Sequence, residues 1–134
     1  MKTDSKILAS FLAAAVWADG EYDELEKDFV AEVAEELGLA TLQADLGSAI
    51  VATEKMSGEE LTEGLEKAAA KVADKEKEGV LSLCLQLMCA DAFLSFDEVE
   101  NFFVFADLLG VDEDAAQAIL DEFIEEEEDL IIEE

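Results

Sequence analysis

The chain of 134 residues is 51% hydrophobic and 33% charged, which fits one folded domain with a buried core and excludes a disordered chain. It carries 36 acidic residues against 8 lysines, with no arginine and no histidine, so its formal net charge is −28. This balance argues against nucleic-acid binding, which needs Lys or Arg on the phosphates, and against His-dependent hydrolases and the common zinc sites. With no proline and 7 glycines, the composition predicts an all-α fold.

The first predicted helix is the apolar run Ile7–Ala18, which follows Lys2 and Lys6. The run has the length of a signal-peptide core, but Asp4 is atypical of such a segment and the run is too short to span a bilayer. Because the same pattern recurs later in the chain, we expect a buried core helix here.

An acidic turn follows, and Asp23-x-x-Glu26 is a capping box that predicts the start of a second helix. Apolar residues share one face of that helix, and Glu and Lys cover the other. Gly38 can supply the left-handed residue that ends it. Trp17 and Tyr22 flank the turn and are predicted to pack in the core or at its rim.

Two further helices are predicted before the pattern recurs. The first is Thr41–Thr53, and the second opens with the capping box Ser57-x-x-Glu60. Cys84 and Cys89 lie five residues apart in the next apolar run, a spacing that does not suit a disulfide within one helix. We therefore expect buried, reduced thiols in a cytoplasmic protein.

The chain contains two related copies of one pattern. A shift of 72 positions places residues Ile7–Leu39 on residues Gly79–Val111 without a gap. Each copy reads as an apolar helix, an acidic turn and a second helix ending at glycine, and Ser95-x-x-Glu98 is the capping box of the second copy. The identities fall at turns and helix ends: Ala18/Ala90, Asp19/Asp91, Glu26/Glu98, Ala34/Ala106, Leu37/Leu109 and Gly38/Gly110.

After the second copy, Asp112 is placed to cap a last helix. Residues 125–134 form an acidic C-terminal extension in which Leu130–Ile132 are apolar with nothing local to cover them. This segment is expected either to fold back onto the domain or to meet a partner, and the sequence leaves both open.

The two copies and the helices between them resemble the TerB-like family, named for a tellurite-resistance protein. The specific part is the motif Asp19-Gly20-x-Tyr22-Asp23-x-x-Glu26, while the second copy keeps Asp91, Ser95 and Glu98. The resemblance implies a single domain over residues 1–134, a compact bundle of about seven helices with two pseudo-symmetric helix-turn-helix hairpins. It also implies a link with stress or metalloid-resistance systems and a divalent-cation site on acidic residues.

The acidic turn supports two interpretations. Laid on an EF-hand loop, Ala15 and Trp17 take the first two ligand positions and offer no side-chain oxygen, so the loop is not an EF-hand. A Ca²⁺ or Mg²⁺ ion could still bind the remaining acids and keep several waters. Helix capping explains the same residues without a metal. The candidate ligands are Asp19, Glu21, Asp23 and Glu26, with Asp91 and Glu98 as a weaker second set.

These features predict a non-enzymatic interaction module that docks a protein with a basic surface, since cations and basic proteins are the natural ligands of so acidic a field. The alternative is a protein that binds or senses Ca²⁺ or Mg²⁺ through the first acidic turn. A carboxylate-based hydrolase is the weakest hypothesis, because acids this abundant make any Asp/Glu pair uninformative. We expect no direct membrane insertion, and self-association into a homodimer is left open.

Overall fold

The computed structural model of the chain describes residues 4–19, 24–90, 93–127 and 130–132. Within these ranges the protein is an all-α helical bundle, as predicted, with one short 3-10 turn at Asp74–Glu76. A pair of two-residue strands, β1 (Phe93–Leu94) and β2 (Ile131–Ile132), was not predicted. The seven helices in the described ranges are α1 (Ser5–Asp19), α2 (Glu24–Leu37), α3 (Leu42–Glu54), α4 (Gly58–Ala69), α5 (Lys77–Met88), α6 (Phe96–Leu109) and α7 (Glu113–Glu126).

Helix α1 is the centre of the bundle. It packs against α3, α4, α5 and α6, and every residue from Leu8 to Val16 except Ser10 is buried. The prediction of a core helix is therefore confirmed. Alanines make up much of the buried stretch, and their small side chains let neighbouring helices approach closely. None of the helices in the described ranges has the length and apolar content needed to cross a bilayer.

The remaining helices close the core around α1. Helix α2 packs on α3 and α5, while α7 packs on α5 and α6. The largest fully buried side chains are Phe11 of α1 and Phe102 of α6. The ring of Phe102 meets that of Phe103 edge to face, with centroids 5.3 Å apart. Such a geometry suits the charge distribution of aromatic rings.

A polar contact fastens the start of α1 to α3. The hydroxyl of Ser5 donates to Asp45 Oδ2 at 2.7 Å, and the hydroxyl of Thr41 donates to the same oxygen at 2.9 Å. The hydrogen bond from Ser5, then that from Thr41, lowers the pKa of the Asp45 carboxyl. Both bonds favour the ionised form, so they hold a charged Asp45 in the first turn of α3, where the helix dipole also favours an anion.

Most of the predicted helix ends within the described ranges are confirmed. Gly38 and Gly110 have φ of 68° and 77°, the left-handed conformation that residues with a Cβ adopt at a cost. Around Gly110, the Val111 amide donates to the Ala106 carbonyl and the Gly110 amide to that of Asp107, and the same pair of bonds surrounds Gly38. Asp112 precedes α7 as predicted, but its side chain accepts no capping hydrogen bond in the part of the chain described.

The C-terminal segment folds back onto the domain. Strand β2 pairs in parallel with β1, which places Ile131 opposite Phe93 and Ile132 opposite Leu94. Leu94 and Leu130 join the core, whereas Ile131 is 64% exposed. The structure thereby decides the alternative that the sequence left open: within the described residues, the apolar segment folds back, with Leu130 on the core and β2 paired with β1.

Candidate functional site

The first acidic turn is only partly described. Glu21 and Asp23 lie outside the described residues, as do Gly20 and Tyr22, and Asp19 is the last residue of α1 with its side chain outside them too. Glu26, the third residue of α2, is only 3% exposed, whereas the other five acids of that helix are exposed. A glutamate that only contributes charge to the surface would stay exposed, so the burial of Glu26 at the start of α2 indicates a specific structural role.

The second turn shows what the corresponding residue does there. Asp91 lies outside the described residues, but Glu98 is the third residue of α6 and is 4% exposed. The Glu98 amide donates to Ser95 Oγ at 3.2 Å, and the Ser95 amide donates to Glu98 Oε1 at 2.9 Å. This is a complete capping box, as predicted. In the second copy the buried glutamate therefore serves as a helix cap.

No group of three or more Asp, Glu, Cys or His residues suited to a metal ion occurs within the described ranges. Of the six predicted ligands, Glu26 and Glu98 are the two whose carboxylates are described, and they belong to different turns. A hard cation needs six or more oxygen ligands, of which water can supply several. The described residues therefore do not build a cation site by themselves, and the prediction rests on residues outside them.

The two cysteines lie in the core. Cys84 and Cys89 are both buried, as predicted. Burial raises the pKa of the Cys84 thiol to about 12, because the thiolate would lose its hydration. A thiol that stays protonated at neutral pH is a poor nucleophile and metal ligand. Cys84 accordingly acts as a small apolar residue in the core.

The exposed charged residues of helices α6 and α7 are all acids. Their exposed acids number three on α6 and six on α7, and neither helix contains a basic residue. All eight lysines precede Glu78, five of them from Lys55 to Lys77, so the segment from Glu78 to Glu134 has none. The charge asymmetry predicted from the sequence therefore maps onto two adjacent helices. The exposed acids are Asp97, Glu100, Asp107, Glu113, Asp114, Asp121, Glu122, Glu125 and Glu126.

An apolar groove, which the sequence did not predict, opens between α1, α4 and α6. Trp17 and Val104 stand at its rim and are 53% and 51% exposed. Trp17 is therefore a rim residue rather than a core residue. A signal was present in the run Phe102–Phe105, four consecutive apolar residues that cannot all fit on one side of a helix. One of them, Val104, faces outward.

Comparisons with models of known protein families, with curated proteins and with solved structures found no match. The resemblance to the TerB-like family therefore rests on the acidic-turn motif and the repeated pattern of the sequence. Two surface features are the candidate functional sites: the exposed acids of α6 and α7, and the apolar groove between α1, α4 and α6.

Proposed function

We propose that the protein is a non-enzymatic interaction module that docks a protein partner with a basic surface, in a cytoplasmic stress-response or tellurite-resistance-like system. The supporting observation is the α6–α7 surface, where nine exposed carboxylates stand without a lysine on either helix. Like charges repel one another across such a surface. A partner that brings lysine and arginine side chains relieves this repulsion on binding, which gives the association its electrostatic driving force.

The proposal predicts partners that are held by charge. Captured from a cell lysate at low ionic strength, they should be basic proteins, and salt near 1 M should release them because the Debye length then falls to about 3 Å. Retention of no basic protein, or retention that salt does not affect, would contradict the proposal.

A matched pair of triple variants tests where the captured partner binds. Neutralising Glu122, Glu125 and Glu126 to Gln on α7 should weaken the binding of the purified partner by about tenfold, measured by calorimetry. The control neutralises Glu32, Glu35 and Glu36 on α2, which have the same spacing and are also exposed. Salt screening limits the range of each charge's interactions to about 10 Å, so the control variant should lose less than about threefold in affinity. Equal losses would show that only net charge matters and that the α6–α7 surface has no special role.

The same proposal includes the finer architecture of two pseudo-symmetric, TerB-like hairpins. Helix α2 begins at residue 24 and ends at residue 37, and α6 begins at 96 and ends at 109, so both bounds differ by the shift of 72. Gly38 and Gly110 end the two helices with equivalent backbone hydrogen bonds. Glu26 and Glu98 are buried at equivalent positions. These correspondences support a duplicated hairpin.

The second candidate function is binding or sensing of Ca²⁺ or Mg²⁺ at the first acidic turn. The acidic-turn motif supports it, because Asp19, Asp23 and Glu26, with Glu21, put several carboxylates within one turn, where a hard cation could bind and keep several waters. The example of Glu98 favours a capping role for the same position. The two functions are compatible, since a cation could switch the docking surface.

A cation site predicts selective stabilisation. At equal ionic strength, Ca²⁺ or Mg²⁺ should raise the Tm more than NaCl does. At a cation concentration a hundredfold above Kd, binding should add about 2.7 kcal/mol to the free energy of unfolding. The double variant Asp19→Asn/Glu26→Gln should lose this gain, whereas Glu24→Gln, an exposed acid in the same helix turn, should keep it. A gain that every salt produces equally, and that the double variant retains, would indicate screening and no site.

A further inference from the structure

The apolar groove between α1, α4 and α6 has the form of a docking site. Helices α4 and α6 both pack on α1 and leave between them a depression of about 170 Å³. Because single exposed apolar residues are common on protein surfaces, the relevant observation is that two of them, Trp17 and Val104, border one concavity. Its apolar lining includes Trp17, Leu61, Leu65, Val104, Phe105 and Leu108.

The polar residues of the groove leave its lining mainly apolar. The Thr62 hydroxyl donates to the Gly58 carbonyl at 3.0 Å, and Asn101 Nδ2 donates to the Asp97 carbonyl at 2.9 Å. The hydroxyl proton of Thr62 and one of the two Nδ2 protons of Asn101 are used within their own helices, so the groove offers few directed hydrogen bonds to a ligand. Recognition there must depend on apolar contact.

The length of the groove suits a helix. A second apolar depression, between α1, α3 and α4, shares Leu61 and Leu65 with the first, so the apolar surface follows α4. The residues of α4 that line the groove run from Gly58 to Leu65 and span about 10 Å, close to two helical turns. Gly64 lines the second depression, and no atom of a neighbouring element lies within 4 Å of where its Cβ would be. The packing of this chain therefore does not require a glycine there, and its absent side chain leaves room for an approaching backbone.

The charges beside the groove determine which kind of helix would bind. Helix α4 carries four exposed glutamates against Lys67, and α6 carries three exposed acids and no base. A ligand with acidic or neutral flanks would gain nothing from these carboxylates, whereas lysine or arginine flanks would meet them as opposite charges. Amphipathic helices that lay their apolar face in a groove are an established mode of recognition.

We infer that this groove binds the apolar face of an amphipathic helix from a protein partner, with lysine and arginine on the flanks of that helix. The inference deepens the proposed function, on which it rests, by assigning the partner an apolar anchor in addition to its basic charge. Apolar side chains of the helix cover Trp17 and Val104, and its basic flanks face the acids of α4 and α6.

Two peptides of equal composition and charge test this inference. One is a leucine–lysine peptide with leucines at helical spacing, and the other has the same residues in an order that forms no apolar face. Trp17 is the single tryptophan of the chain, so its emission reports on the groove directly. The amphipathic peptide should shift this emission to shorter wavelength and bind at least about tenfold more tightly than the scrambled peptide.

Two variants with the same change of charge locate the binding. Val104→Glu should weaken binding of the amphipathic peptide by about tenfold because it places a carboxylate in the groove. Val51→Glu should change the affinity by less than about twofold. Val51 is 53% exposed, lies on α3 and lines neither depression. Thermal unfolding checks that both variants fold. If Val104→Glu does not fold, Val104→Ser, which adds no charge, takes its place and should weaken peptide binding by about threefold.

The outcomes separate the groove from the wider proposal. If both peptides bind equally without moving the Trp17 emission, the groove is not the site, and docking by charge still stands. If neither peptide binds at low ionic strength, both proposals fail. If the wild-type protein sediments as a dimer and Val104→Glu as a monomer, the occupant is a second copy of this chain, and a basic helix is excluded as the groove's own ligand.

Discussion

Replacing Phe102 with alanine should lower the free energy of unfolding by about 3–5 kcal/mol. The Phe102 side chain is fully buried in α6 and packs edge to face with Phe103. Its removal loses the transfer free energy of the ring and leaves a cavity that the surrounding helices fill only in part. Domains of this size are typically stable by about 5–15 kcal/mol, so the loss would be a large fraction of the total.

The control for this prediction is Phe96→Ala on the same helix. Phe96 is the first residue of α6 and is 52% exposed, so the same chemical change should cost less than about 1 kcal/mol. Urea unfolding measures both variants, and an unchanged slope with denaturant shows that the denatured states are comparable. Similar losses at the two positions would mean that α6 does not present the face described here to the core.

The second large effect is expected from Ala15→Leu in α1. Ala15 is fully buried in a helix that packs against four others, so three added carbons have no room without displacing a neighbour. Overpacking of this kind typically costs about 1–3 kcal/mol. The loss of stability would be measured by urea unfolding, as the decrease in the free energy of unfolding in water.

Ala44→Leu is the matched control, because Ala44 is an exposed residue of α3. It should change the free energy of unfolding by about 0.5 kcal/mol or less. If Ala15→Leu were as mild as Ala44→Leu, α1 could not be the tightly packed centre of the bundle. The pair therefore tests the feature of the fold on which the positions of α4 and α6, and hence the groove, depend.

The features that were predicted correctly are mostly local ones. Ser95 and Glu98 are three residues apart, and the two hydrogen bonds of their capping box form within one helical turn. Gly110 takes the left-handed conformation because the backbone at a helix end favours it wherever a Cβ is absent. Such interactions are visible in a stretch of a few residues, so the helices could be placed before any packing was known.

The features that were not predicted depend on contacts between distant segments. The outward position of Val104 depends on where α1 and α4 meet α6, and the run of apolar residues around it shows only that one of them must face out. The pairing of Ile131 with Phe93 joins residues 38 positions apart.

The amino-acid sequence by itself determined that the protein is helical, where most of the helices begin and end, and that the segment from Glu78 to Glu134 carries acids and no base, because propensity, capping and charge belong to single residues and their near neighbours. Only the tertiary structure decided that α1 lies at the centre, that β2 pairs with β1, and that an apolar groove stays open beside acidic helices. Those arrangements arise from the packing of several helices at once, and which apolar residue stays exposed depends on the space that the others leave.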